Sequence, residues 1–198
     1  MLTVHFGTRG GANVWLDELP QLGFETAAVH ERVLPATDAM RGHERRAAIE
    51  WFRPTNGSST YGLLGGHFAP GGDGRLLVRI LASPDQGERL ADGLRSGDLL
   101  RAGLPEQYTG FVLQGVEGAG ELLGPGMLTF GCAAHGAVGS SGWVFVRLTR
   151  AVVWLLTREP GTVSGGLLHM LLGNLDRYFG GPSPWVPPME LTDIESGG

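Results

Sequence analysis

The stretch from Leu104 to Phe145 constrains the fold more than any other part of the chain. It opens as Leu104-Pro-Glu-Gln-Tyr108, and proline fits the first turn of a helix, where its missing N–H is not needed. Tyr108, Phe111, Val112, Val116, Ala119, Leu122 and Leu123 recur at helical spacing and predict an amphipathic helix. Gly110, Gly115, Gly118 and Gly120 interrupt it. Each costs about 1 kcal/mol against alanine, which is tolerable where the helix lies very close to a neighbour. Leu128 to Cys132 predicts a strand. His135-Gly-Ala-Val-Gly-Ser-Ser141 predicts a glycine-softened loop, with Ser140 or Ser141 capping a helix whose face carries Phe145, Leu148, Val152, Leu155 and Leu156.

The other segments extend this pattern. Leu2 to Phe6 predicts a short strand, Gly10-Gly11 a turn, and the stretch near Leu16 a short helix. Phe24 to Leu34 predicts a strand. Thr37 or Asp38 caps a predicted helix over Ala39 to Phe52. Pro54 to Ser59 predicts a loop and Ala69 to Gly74 a turn. Leu76 to Leu81 is the clearest strand, and its apolar run predicts burial on both faces. Ser164 to Phe179 predicts a third helix, with Leu167, Met170, Leu171, Leu175 and Tyr178 as its stripe and Gly180 as its stop. Separate strands and helices with apolar faces point to an α+β class, an open β-sheet covered on one side by helices. The reading is one domain over residues 1–181 and a Pro/Gly-rich tail over 182–198.

Composition removes several functions. All 15 basic residues are arginine. Without lysine there is no nucleotide P-loop, and Schiff-base and lysine-base chemistry are excluded. The net charge of −5 argues against a free-standing nucleic-acid binder. Arg41, Arg45 and Arg46 form a local basic patch, but beside His43, Glu44 and Glu50 they read as a solvated helix face. Cys132 is the lone cysteine, so no internal disulfide is available. No apolar run reaches membrane-spanning length and no signal peptide opens the chain, so a cytoplasmic location is expected.

Two segments resemble a known family. Ala102-Gly-Leu-Pro-Glu-Gln-Tyr108, followed by Val112 and Gly115, is similar to the Gly-Gly-x-Ile-Pro-x-Glu-Tyr-x-x-x-Val-x-x-Gly segment of domain IV of the elongation factor G family. His135-x-x-Val138-x-Ser140-Ser141, followed by Phe145, resembles that domain's His-x-Val-Asp-Ser-Ser-x-x-x-Phe segment. Gly74 to Pro84 resembles its Gly-Gln-Tyr-Gly strand, and Val29-His-Glu-Arg-Val33 its opening Tyr-Arg-Glu strand. The resemblance spans roughly residues 25–157. One extra residue separates His135 from Val138, and Gly139 stands where the family has aspartate. The resemblance implies a ribosomal protein S5 domain 2-like fold without a GTPase domain. It also implies a non-enzymatic module contacting ribosome or RNA in translation, with His135 at the tip of the domain.

The candidate RNA- or anion-binding residues are therefore His135, Gly136, Ser140 and Ser141, with His67 in a second Gly-rich loop. Each has a plainer reading as a turn residue. The alternative function is an enzyme or small-ligand protein on the same fold, using His67 or His135 as acid or base; no cofactor is implied. Cys132 and His135 have C-x-x-H spacing, but no second pair completes a metal site. Asp73, Asp85, Asp92 and Asp98 read as solvated turns. His169 reads as a partly buried packing residue. Trp143, Trp154 and Trp185 offer rings on which bases could stack but read first as core or interface side chains, and Trp185 among prolines as pinning the tail or meeting a second subunit of a homo-oligomer.

Overall fold

The computed structural model describes residues 1–7, 10–37, 43–55, 58–72, 74–85, 87–90 and 99–179. Asp38, Ala39, Arg41, Asp73, Asp92, Asp98, Gly180, Trp185 and the rest of the tail lie outside them. The described strands are β1 (Leu2–Phe6), β2 (Gly10–Leu16), β3 (Ala28–Pro35), β4 (Arg45–Thr55), β5 (Ser58–Pro70), β6 (Arg75–Ala82), β7 (Leu100–Ala102) and β8 (Gly126–Gly136). They form one mixed sheet in the order β1-β2-β4-β5-β8-β6-β3, with β7 also paired to β8. All pairs are antiparallel except β6 with β8. The helices are α1 (Glu106–Gly115), α2 (Ala119–Leu123), α3 (Gly142–Leu156), α4 (Gly165–Gly173) and α5 (Leu175–Phe179). The α+β class is thus as expected.

The helices cover one face. Val14, Ile49, Leu64, Phe68, Val78, Ile80, Leu128 and Phe130 project from the sheet into a core shared with α1, α3 and α4. Helix α3 is its centre: every residue except Trp143 and Arg147 is buried. Its apolar stripe therefore widens to most of the circumference, leaving open the edge that carries Trp143 and Arg147. The other face of the sheet is not bare. Phe52, Tyr61, Leu63, Leu100, Cys132 and Ala134 form a second, smaller core, packed against Trp15, Leu19, Leu22 and Leu90. That face is open at β3, where Val29 and Val33 are exposed.

Several expectations are corrected. Gly10 and Gly11 are not a turn, and Leu16 is not helical; all lie in β2. A Cβ on Gly10 would sit 2.8 Å from the Phe6 carbonyl oxygen, so close strand approach, not a bend, accounts for the glycine. The helix expected up to Phe52 is β4 from Arg45 onward. Ala47, Ile49 and Trp51 enter one core while Phe52 enters the other, so both faces are apolar and the period-two signal vanishes. The Pro54 to Ser59 loop shrinks, because β4 runs to Thr55 and β5 starts at Ser58 with those two residues paired. Arg45 and Arg46 consequently lie on a strand; Arg45 pairs with Asp17 and Glu159, and Arg46 with Glu44.

In β6, burial alternates: Leu76, Val78, Ile80 and Ala82 are buried, and the residues between them are not. The helix from Leu104 breaks after Gly115, and Gly118 takes a left-handed φ of 85° before α2. The third helix is divided at Asn174. His169 is exposed, not packed. No helix among the described residues is long and apolar enough to cross a membrane.

Candidate functional site

The two family-like segments lie 32 residues apart along the chain at Tyr108 and Ser140 and meet at one end of the sheet. The Tyr108 hydroxyl donates to the Ser140 carbonyl at 3.2 Å. Its ring packs tilted against Phe145 with centroids 4.8 Å apart and lies 6.4 Å from the His135 ring. His135 Nδ1 is 3.1 Å from the Gly103 carbonyl oxygen. That oxygen only accepts, which assigns the proton to Nδ1. Ser140 Oγ accepts from the Gly136 N–H at 2.8 Å and donates to the Tyr61 carbonyl at 2.7 Å, tying the turn to β5.

His135 is therefore not a loop residue. It lies in β8, paired with Arg101, and is 5% exposed. Pairing with β7 keeps it in the strand, and a β-bulge sets its face. Gly65 pairs with Cys132 but Gly66 pairs with Phe130, which leaves Gly131 unopposed on β8. One extra residue inverts the alternation beyond it. Leu128 and Phe130 face the helices before the bulge; Ala133 does so after it, and His135 is on that face against Tyr108. Gly136 is buried as well. Ser140 is half-buried with its hydroxyl engaged, and Ser141 is the exposed N-cap of α3 with no side-chain capping bond.

Exposure falls instead on the turn 137–139 and the first turn of α3. Val138 is 83% exposed and Trp143 55% exposed, with Phe111 edge-on to the indole at 6.3 Å. Sequence reasoning placed Trp143 in a core or interface; only its position next to the N-cap hinted that it faces outward. Trp154 is buried, with Arg158 stacked over its ring at 4.9 Å.

His67 is also on a strand, β5, rather than in a loop. It projects from the face opposite His135, since Phe68 beside it enters the helix-side core. Its Nε2 is 2.9 Å from Glu44, which also receives Arg46 at 2.7 Å. The His67 hydrogen bond, with the charges of Arg46 and His67, holds the Glu44 carboxyl below its usual range. The two histidines thus share no pocket. Cys132 and His135 likewise point to opposite faces, as strand geometry requires, so they form neither a metal pair nor a catalytic pair. Burial pushes the Cys132 thiol up to about 12, which leaves it protonated and unreactive at neutral pH. Among the described residues no three His, Cys, Asp or Glu side chains are grouped to hold a metal.

A cavity between β4, α3, α4 and α5, lined by Ile49, Trp154, Leu168, Leu171 and Phe179, leaves about 10 Å³ for the centre of a water molecule. It is apolar and too small for a substrate. A buried polar row crosses the second face: Asn13 donates to Glu50 at 2.8 Å and the Tyr61 hydroxyl donates to Glu50 at 3.0 Å. Glu50 is satisfied within the sheet by these two donors. No protein-family model matches the chain, and no curated protein matches it in sequence.

Proposed function

We propose that this chain is a non-enzymatic binding module similar to domain IV of elongation factor G, with a ribosomal protein S5 domain 2-like core, and that it contacts the ribosome or structured RNA through the turn 137–139. One observation carries the reading: the two segments that resemble the family close on each other through Tyr108, Ser140, His135 and Gly103, and hold out an exposed Val138 and Trp143. The order β6, β7, α1, β8, α3, with β8 set beside β6, supports the same core. His135 acts here as a positioning residue beneath the turn. Val138 and Trp143 are the contact residues, and an exposed indole offers a face on which an unpaired base stacks.

Cosedimentation with purified ribosomes tests the proposal. The wild-type chain is expected to pellet with ribosomes, and Val138→Asp with Trp143→Ala to reduce the bound fraction at least about tenfold, the scale of one lost stacking contact. Both positions are exposed, so melting temperatures should stay within a few degrees. Failure of the wild-type chain to pellet with ribosomes or to bind structured RNA overturns the role. The alternative, acid–base catalysis by loop histidines, finds no support in a geometry that separates His67 and His135 by the thickness of the sheet.

A further inference from the structure

We infer that Arg89 and Arg101 form a phosphate-binding pair beside the tip, and that it holds the phosphodiester backbone of the RNA whose bases meet Val138 and Trp143. The inference rests on the function proposed above. Arg89 bridges Arg101 in antiparallel fashion, and Arg101 lies directly opposite His135. The Leu90 N–H donates to the Leu100 carbonyl at 3.0 Å and the Ala102 N–H to the Glu88 carbonyl at 2.8 Å. These bonds bracket the two arginines, which makes them a non-hydrogen-bonded pair, the closer of the two antiparallel types. Opposed residues share a face, so both side chains leave the sheet together, with the imidazole of His135 next in the row.

Like charges directly opposed destabilise a strand pair. Elsewhere in the molecule, Arg45, Arg46, Arg79 and Arg147 each hold a carboxylate. Among the described residues, no carboxylate lies within 4.0 Å of Arg89 or Arg101. Arg101 gives one N–H to the Gly87 carbonyl at 3.1 Å, which fixes its direction, and Arg89 is exposed. A phosphate between two guanidinium groups cancels the repulsion and takes up their paired donors. The position selects a polymer over a free anion. The Ala137 N–H donates to the Leu99 carbonyl at 3.0 Å, so the start of β7 is joined to the turn that carries Val138. Cationic row and apolar tip are thus adjacent, as a backbone and its bases require.

The test is fluorescence anisotropy of the full chain with a labelled RNA hairpin over 50–200 mM salt, beside ribosome cosedimentation. Arg89→Gln with Arg101→Gln should weaken binding at least about tenfold and flatten the plot of log K against log salt by about 1 to 2. Arg89→Gln alone, at an exposed position, should flatten it by about 1 without lowering the melting temperature, since it relieves the repulsion with Arg101. Arg75→Gln, at the far end of β6, should change neither. Unaltered affinity and slope in the double variant overturn the arginine pair while leaving the proposed function standing. Absence of binding by the wild-type chain overturns both. Complete competition by millimolar inorganic phosphate would show a small-anion site and overturn the polymer assignment.

Discussion

His135 is held by contacts that a loop residue would lack: a hydrogen bond to Gly103, the ring of Tyr108, and a paired strand on either side of β8. The chain order around it is legible, since an apolar strand, a histidine and a helix follow one another as written, although Ser141 holds the N-cap position without a side-chain capping bond. The face of His135 is not legible. A glycine within a strand signals a bulge, but only the partner strand shows that Gly131 is the unopposed residue and that everything after it changes sides. The same limit hid Arg89 and Arg101, whose opposition exists only once β7 is paired. Replacing His135 tests the positioning role. His135→Phe keeps a ring beneath the turn but leaves the buried Gly103 carbonyl without its donor, and is expected to cost about 1–3 kcal/mol. His135→Ala adds a cavity and should cost about 2–5 kcal/mol. Urea unfolding measures both; a midpoint unchanged in His135→Ala would show that the imidazole supports nothing.

At the scale of elements, β1, β6, β8 and α3 were readable from their apolar runs or stripes, and the central strands β4 and β5 were not. β1 and β6 were legible as strands, although the apolar run of β6 predicts burial on both faces and its burial in fact alternates. β4 and β5 lie in the middle of the sheet between two cores, and the glycines of β5 answer close approach on both faces: a Cβ on Gly62 would stand 2.8 Å from Leu148 Cδ1 and Val144 Cγ1 of α3, and one on Gly65 2.9 Å from Leu19 Cδ2 on the other side. Nothing in the one-dimensional pattern marks such a strand. The glycines of α1 divide along the same line. Gly115 faces α3, where a Cβ would be 2.6 Å from Thr149 Cβ and 2.9 Å from the Val146 carbonyl oxygen. Gly110 is exposed and would meet no atom within 4 Å. Gly110→Ala is therefore expected to stabilise by up to about 1 kcal/mol through helix propensity alone. Gly115→Ala, despite the same propensity gain, should destabilise by about 1–3 kcal/mol through overpacking. Thermal melts of the two variants decide it; equal shifts of one sign would show that α1 does not press on α3 as described.

At the scale of the whole molecule, the sheet separates a large helix-side core from a small core on the opposite face, and the small one carries ionisable groups. Desolvation, with the nearby Glu50 charge and hydrogen bond, pushes the Tyr61 hydroxyl above its ordinary value of 10.0. Desolvation alone raises Cys132 from 9.0 to about 12. Both groups are neutral when protonated, so the folded state retains their protons at pH values where the unfolded chain releases them. Their contribution is complete below the unfolded values and falls as pH rises, first from about 9 for the thiol and then from about 10 for the phenol. Each group removes up to about 1.4 kcal/mol per pH unit over its window. Stability should thus be level from pH 7 to 8.5 with respect to these groups and drop steeply above pH 10. The loss should start on the face shared by Tyr61 and Cys132, because their ionisation places charge beside Phe52, Leu63 and Leu100. Urea midpoints between pH 7 and 11 test this in the wild-type chain and in Cys132→Ala with Tyr61→Phe. The double variant is expected to be less stable at pH 7 yet to lose less on going to pH 11. Parallel curves for the two proteins would mean that alkaline unfolding begins elsewhere, and that the second core is not the part of the fold that high pH attacks first.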